Sequence, residues 1–267
     1  MNNTAFAMGE DIMSKNEDAL LQRIANNEKL TAKDELTAGY KGELRRLMVT
    51  FVDSELAGAA GFVDIINKAP GMRERCTASR IVSEKFDHAQ QVLELLEDFG
   101  VNTDLYVQSH PWDARLSRTI NLGNRHIGGD KRLNVLHYPY EGWLDSVVMN
   151  MLMGLASSIQ LEEISHCSYA PLASAMGQIA AREAEHAELG RNGLAKALEN
   201  GYSLEAAQAS VDYWYARVAA TFGKSDSQHF EQGKAYGLRK TPNADLMAKW
   251  ESRIAEQLAR IGLEARS

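Results

Sequence analysis

The pattern of apolar and polar positions divides this chain into six long helical stretches and one short one, separated by Pro, Gly and polar breaks. The short helix is expected near Asp18 to Asn26, inside a polar and acidic segment, residues 1–38, that reads as peripheral. The first long helix runs from Tyr40 to Lys68 and stops at Ala69-Pro70-Gly71. The second runs from Met72 to Phe99 and stops at Gly100. Each is about 28 residues, roughly 42 Å at the helical rise. Residues 101–139 are broken by His110-Pro111, Gly123, Gly128-Gly129 and Tyr138-Pro139, and read as a crossover with short helical pieces. A third long helix follows from Glu141 to His166, and a fourth from Tyr169-Ala170-Pro171 to Glu199, closed by Asn200-Gly201 as a left-handed cap. A fifth covers Leu204 to Thr221, Gly223 to Pro242 is a polar excursion, and a last helix covers Asn243 to Gly262. The expected organisation is all-α: a peripheral segment (1–38), a four-helix bundle (39–200, crossover at 101–139) and a C-terminal helical extension (201–267) packing on it.

Composition narrows the partners. The chain has 267 residues with 45% hydrophobic positions, enough for a sizeable core, and only five Pro, in keeping with long helices. A formal net charge of −7 disfavours nucleic acid and anionic membrane as main partners. The two cysteines, Cys76 and Cys167, stand far apart in no metal or redox spacing, which points to a reducing, cytoplasmic compartment. The first residues show no basic region followed by an apolar run, so no signal peptide is expected. The most apolar stretch, Ser146 to Ile159, is short for a membrane span and reads as a core helix.

The chemistry-bearing pattern lies on the helices. Glu183 and His186 form a Glu-x-x-His pair on the fourth long helix, and the second helix carries Ser83-Glu84-Lys85-Phe86-Asp87-His88, with Lys85 three residues before the histidine. Residues three and four apart share a helix face. Glu55 sits midway along the first helix, followed by the small residues Ala57, Gly58, Ala59 and Ala60, which permit close helix approach. A carboxylate from each of two helices plus Glu-x-x-His from each of two others is the ligand set of a ferritin-like di-iron bundle; about half of it is present here. Read singly, each element has a plainer meaning: a solvent-facing Glu55, a Glu84–His88 surface pair, a charged face around Glu183, Glu185 and Glu188. His166, three after Glu163, also has the spacing but lies at a helix end, where histidine more often caps carbonyls. His110, His126, His137 and His229 fall in loops or at ends and are not expected to be ligands.

The order Glu55, the His88 helix, His137-Tyr138-Pro139-Tyr140-Glu141-Gly142-Trp143-Leu144-Asp145, Ser168-Tyr169-Ala170-Pro171-Leu172-Ala173, then Glu183-x-x-His186 resembles the phenylacetic acid catabolic family, and within it the catalytic oxygenase subunits. The resemblance covers roughly Tyr40 to Gly190. It implies a ferritin-like four-helix bundle with additional C-terminal helices, working in a homo- or hetero-oligomer with a reductase and a companion helical subunit. The implied chemistry is iron-dependent O2 activation on an aromatic or acyl-CoA substrate. Carried over by position, Glu55, His88, Glu183 and His186 are the metal ligands. Two positions depart: Lys85 stands where the family has a metal-bridging Glu, and Gly154, with Ser157 and Ser158 near it, where it has the third-helix carboxylate.

These departures leave several states open. Lys85 replaces one metal, leaving a single iron or manganese on Glu55, His88, Glu183 and His186. Alternatively it cross-links the carboxylates in a metal-free scaffold that docks a catalytic partner, or a register shift brings Glu84 inward, or Lys85 is a surface residue. On the scaffold reading, Lys85→Glu with Gly154→Asp restores metal binding. The crossover residues Arg115, Arg118, Arg125, His126, Lys131 and Arg132 offer a grip on CoA phosphates, against the plainer reading of a solvated basic loop or subunit contact.

Overall fold

The computed structural model describes residues 15–123, 125, 127, 129–225 and 227–266. Among them no strand forms; the one bridge is a single parallel pairing of Leu30 with Tyr169. Residues 15–25 form α1. The bundle is built from α2 (Ala38–Ile66), α3 (Met72–Glu97), α5 (Trp143–Ile164) and α6 (Ala170–Glu199), with α4 (Thr103–Gln108) and a 3₁₀ turn (Asn134–His137) in the crossover. Then come α7 (Leu204–Ala219), α8 (Gln228–Ala235) and α9 (Asn243–Ala259). This is an all-α, ferritin-like helical bundle. The stretch expected to be an irregular excursion, Gly223 to Pro242, instead holds α8, which buries Phe230 and Gly233. Two buried positions sufficed to seat a helix too short to show a periodic stripe.

The punctuation works as its chemistry dictates. Thr37 caps α2 by accepting from Tyr40 N, and Ser203 caps α7 by accepting from Ala206 N. Pro171 sits in the first turn of α6, where its missing N–H costs nothing, and Gly201 after α6 takes φ 96°. Short connections make α2 and α3 one antiparallel pair and α5 and α6 another, and α3 meets α6 to join them. The second pair is unusually close. A Cβ added to Gly154 would sit 2.8 Å from the Ala187 backbone nitrogen, and one on Gly190 would sit 2.5 Å from that of Met151. The two helices therefore touch backbone to backbone, and both glycines are fixed by volume.

α5 is the central element. It is apolar on nearly all sides, and it alone among the described residues is long and apolar enough to cross a membrane; 78% of that window is buried within the fold, as expected of a core helix. α7 and α9 lie against it, burying Trp214 and Trp250, and Trp250 Nε1 donates to the Leu152 carbonyl at 3.1 Å. At the N-terminus of α5, Asp145 gathers four donors: Ser210 Oγ (2.7 Å), Trp214 Nε1 (2.8 Å), Arg118 Nη1 (2.6 Å) and Glu141 N (2.9 Å). The carboxylate sits in the helix's first turn, where the dipole favours it. A second buried carboxylate, Asp53 of α2, accepts from Tyr106 Oη and Lys131 N, both at 2.5 Å, and fastens the crossover to the bundle. Arg132 completes it, bound to Asp130 and to the carbonyls of Pro111, Trp112 and Ala114. The N-terminal segment is also tied in: Leu20, Leu30 and Leu36 are buried, and Leu30 exchanges backbone hydrogen bonds with Ser168 and Ala170.

Removing the Asp145 carboxylate leaves the Arg118 guanidinium and the Trp214 N–H without their acceptor in a buried setting. Asp145→Ala is expected to lower unfolding free energy by about 3–5 kcal/mol, read by urea denaturation. A loss below about 1 kcal/mol would mean that the network is no more than a surface pair.

Candidate metal centre and cavity

Three helices of the bundle bring carboxylates, histidines and one lysine to a common interior point. Glu55 comes from the middle of α2, Lys85 and His88 from α3, Glu183 and His186 from α6; all five are buried. The i,i+3 spacings on α3 and α6 place each histidine on the same face as its neighbour, and the small run after Glu55 lets α3 approach. Gly58 faces the Lys85 stem at ordinary contact distance. The plainer readings of a solvent-facing Glu55 and a surface Lys85 do not describe this structure.

The lysine is the hub. Its Nζ lies 3.1 Å from Glu55 Oε1 and 2.9 Å from Glu183 Oε1. His88 Nδ1 lies 3.2 Å from Glu55 Oε2 and 3.7 Å from Glu183 Oε1, and His186 Nδ1 lies 3.1 Å from Glu183 Oε1. The two rings are 6.1 Å apart, tilted by 31°. Glu84 points to the outer side of the centre: its Oε2 lies 2.6 Å from His186 Nε2, and Arg80 and Arg182 stand 3.9 and 3.8 Å from its other oxygen. No register shift replaces Lys85 with Glu84. Instead the carboxylate orients the far nitrogen of a histidine whose near nitrogen faces the centre, the relation found around metal-binding histidines.

The electrostatics follow from burial against pairing. Burial opposes the Lys85 ammonium, but Glu183 and Glu55 outweigh it and hold it above the usual lysine range. Burial likewise raises the Glu183 carboxyl, and Lys85 and His186 together pull it well below the usual carboxylate range. Above its ordinary value of 4.5, Glu183 contributes its full stabilisation, which is lost only as pH falls through the depressed value. Lys85 contributes fully below its ordinary 10.5, and loses this only as pH rises through the raised one. The pair is therefore insensitive to pH across the neutral range.

The fourth wall, α5, brings no carboxylate. Gly154 is pressed on the Ala187 backbone, and a side chain there has no room unless the helices part. The expectation that Gly154→Asp restores a ligand is overturned by this contact. Ser158 is spent on the Leu155 carbonyl, and Asn150 donates to the His186 carbonyl at 2.6 Å. What α5 leaves is space: a cavity of about 700 Å³ reaches Glu55, Lys85 and Glu183 past Gly58, Asn150, Gly154 and Ser157. Tyr140 also lines it, edge-on to Phe62, its hydroxyl pushed up to about 12 by burial.

Donor atoms of Glu55, His88 and Glu183 lie within 4.8 Å of one another, the one such group among the described residues. His166 is elsewhere, exposed, with Nδ1 on the Glu162 carbonyl; Glu163 is occupied by Lys240 N and by Thr241. His110 packs on Tyr106 and Trp112, and His229 lies on α8 beside Glu43. His137 ends the 3₁₀ turn, and His126 lies outside the described residues. Of the crossover cations, Arg118 and Arg132 are taken by Asp145 and Asp130, Arg115 by the carbonyls of Ala57, Trp112 and Ala114, and Arg125 by that of Asn121. Among the described crossover cations only the Lys131 ammonium is left to reach toward the cavity, so the expected phosphate grip is not assembled there. Three contributors escaped sequence reasoning: Arg182, Arg217 and Arg239. Charged residues on exposed-looking helix faces carry no signal of the neighbour that folding brings.

The model of the family described as "Phenylacetic acid catabolic protein" matches residues 13–267, well beyond the stretch expected from motifs. The chain is 21% identical over 251 residues to the A subunit of the 1,2-phenylacetyl-CoA epoxidase of Escherichia coli (strain K12). The match covers 92% of this chain and 76% of that protein.

Lys85→Met removes the ammonium and leaves two buried carboxylates facing each other. A loss of about 3 kcal/mol is expected at pH 8. The variant's carboxyls, raised by burial and mutual repulsion, must then take up a proton on folding, so its stability rises as pH falls toward 5 while the parent's stays level. Parallel pH profiles in urea denaturation would show that Lys85 does not hold the pair.

Proposed function

The chain belongs to the phenylacetic acid catabolic protein family, and from that premise we propose that it is an oxygenase-type subunit with a one-metal centre. The carrying observation is that Glu55, His88 and Glu183 form a mixed carboxylate–imidazole group at the inner end of a large cavity. A bundle that served only as a scaffold gains nothing from a cavity ending on its buried charges. Ligand sites, by contrast, are clefts of this size with a few convergent polar groups.

The donor set fits one divalent metal and not two. Its mixture of imidazole nitrogen and carboxylate oxygen suits non-haem iron(II) or manganese(II). A second metal has no room and no charge compensation: Lys85 Nζ lies between the carboxylates, and Gly154 brings no ligand. Glu55, His88 and Glu183 would hold the metal, with His186 beside Glu183 as the next donor. Bound there, such a metal would supply oxygen-activating redox chemistry next to the cavity. Insertion of one oxygen atom into an organic substrate returns the other as water and takes two electrons from outside, hence a reductase as partner.

The chain's own residues have separate tasks in this reading. Glu84, backed by Arg182, holds His186 so that Nδ1 faces the centre. Lys85 keeps Glu55 and Glu183 ionised and supplies the positive charge that a second metal would carry elsewhere in the family. Its ammonium lines the cavity and places a fixed positive charge beside the carboxylates. Tyr140, neutral and half-buried, and the apolar cavity wall limit water. An aromatic acid derivative such as an acyl-CoA suits this wall, and the enzyme name of the relative supports a companion subunit.

The Lys85 ion pairs favour a second reading, in which the ammonium satisfies both carboxylates and the chain is a metal-free docking protein. Iron content after anaerobic Fe(II) loading and desalting separates the two. About one iron per chain is expected, falling to background in His88→Ala and Glu183→Gln samples shown by circular dichroism to be folded. No iron in the well-folded parent would overturn the oxygenase reading, and two would overturn the role given to Lys85.

A further inference from the structure

The net charge of the chain is −7, yet its cavity is lined by seven Lys or Arg and only two Glu. Most of these cations are accounted for. Lys85 holds Glu55 and Glu183, Arg132 holds Asp130, Arg46 holds Glu43, and Lys131 and Lys224 are exposed to water.

Arg217 of α7 is different. It is half-buried, and no carboxylate among the described residues lies within ion-pair distance of it. Its one hydrogen bond among them runs from Nη1 to the Tyr213 carbonyl at 2.6 Å. Its guanidinium stacks 3.8 Å over the Tyr213 ring and 5.0 Å from that of Tyr138, which fixes its plane. Nε is buried with no acceptor, and no hydrogen bond from Nη2 is found among the described residues, so these two donors of a cavity-lining guanidinium are unspent. Arg239 is better supplied: Nη2 donates to Asn243 Oδ1 at 2.8 Å and Glu163 pairs with it at 3.9 Å, though Nε is buried without a hydrogen bond. Burial lowers its pKa, and Glu163 only partly offsets this. A half-buried cation without a counter-ion, beside a second one only loosely paired, calls for an anion from outside.

We infer that the cavity binds a carboxylic acid, its carboxylate seated on the Arg217 guanidinium with Arg239 as the second cation. The apolar body of the acid runs past Met149, Met153 and Phe222 toward Glu55, Lys85 and Glu183. A planar guanidinium with few unspent donors matches a monoanionic carboxylate, whereas a phosphate dianion asks for more donors and charge than this one group supplies. The stack on Tyr213 pre-orders the guanidinium, so little rotamer freedom is lost on binding. This assignment rests on reading the cavity as the ligand site and not on a metal being bound there.

The test is calorimetric titration of the full chain, free of metal, with octanoate, octyl phosphate and 1-octanol. Saturable 1:1 binding of octanoate is expected, with 1-octanol weaker by about tenfold or more, the loss of one charge-assisted pair. Arg217→Met should weaken octanoate by about the same factor and leave 1-octanol unchanged, with melting temperature as the check on folding. Should Arg217→Met not fold, Arg217→Lys and Arg239→Gln carry the same expectation of weaker octanoate at unchanged 1-octanol affinity. Absence of octanoate binding, equal affinity for octanoate and 1-octanol, or equal octanoate affinity in parent and folded variants would each overturn the assignment. Tighter binding of octyl phosphate would overturn the carboxylate as its head group. Iron content is measured on separate samples, so failed metal uptake with octanoate binding intact sinks the oxygenase reading alone.

Discussion

A single ammonium group holds the middle of this bundle together. Lys85 reaches from α3 to a carboxylate on α2 and another on α6, and these three helices carry every histidine and carboxylate of the centre. Taking Glu55 and Glu183 out of water is tolerable only because the lysine compensates them, and the lysine stays charged only because they do. The cluster is thus a mutual constraint on three helices. It fixes their register more sharply than apolar contacts can, since a shift of one residue would leave an unpaired charge in the core.

The second constraint is steric. Gly154 and Gly190 let α5 and α6 meet at backbone distance, so the α5 wall of the centre carries no side chain at Gly154. One consequence is chemical, because no carboxylate enters from α5 and the charge that a two-metal centre needs is missing. The other is spatial. With Lys85 supplying positive charge from α3 and α5 supplying emptiness, the interior becomes a cavity that ends on a small, asymmetric polar group. Lys85 and Gly154 act in the same direction, toward fewer carboxylates free of a counter-ion and more room.

Around this interior, buried carboxylates fasten the outer elements. Asp145 ties α7 and the crossover to the start of α5, and Asp53 ties the crossover to α2. Arginines that look from the sequence like a basic loop are spent on these tasks. Arg217 of α7, with no ion pair among the described residues, and Arg239 of the segment after α8, 3.9 Å from Glu163, line the cavity instead. The acidic chain and the cationic cavity lining are thus two results of one distribution: the buried acids are matched, and cations in excess line the cavity.

Much of the fold was legible from local chemistry. Long stretches without Pro, a capping Thr37, Pro171 at a helix start and Gly201 at a helix end place the helices within a few residues, because each signal acts on its own backbone. Glu55, His88, Glu183 and His186 could be named as a group because helical spacing puts each pair on one face, and a resemblance supplied the register between helices. Other features depend on what faces what. Whether Lys85 pointed inward, whether Gly154 replaced a ligand or made a contact, and which arginines were free all turn on distances between residues far apart in the chain. The α8 helix escaped notice because so short a segment, with only Phe230 and Gly233 buried, has no periodicity to read. The sequence alone determined an all-α bundle and the identity of its chemical groups, since propensity, capping and spacing are local. Only the tertiary structure decided which carboxylates share an ammonium, where the cavity lies and which cations face it, since pairing and volume exist only between helices.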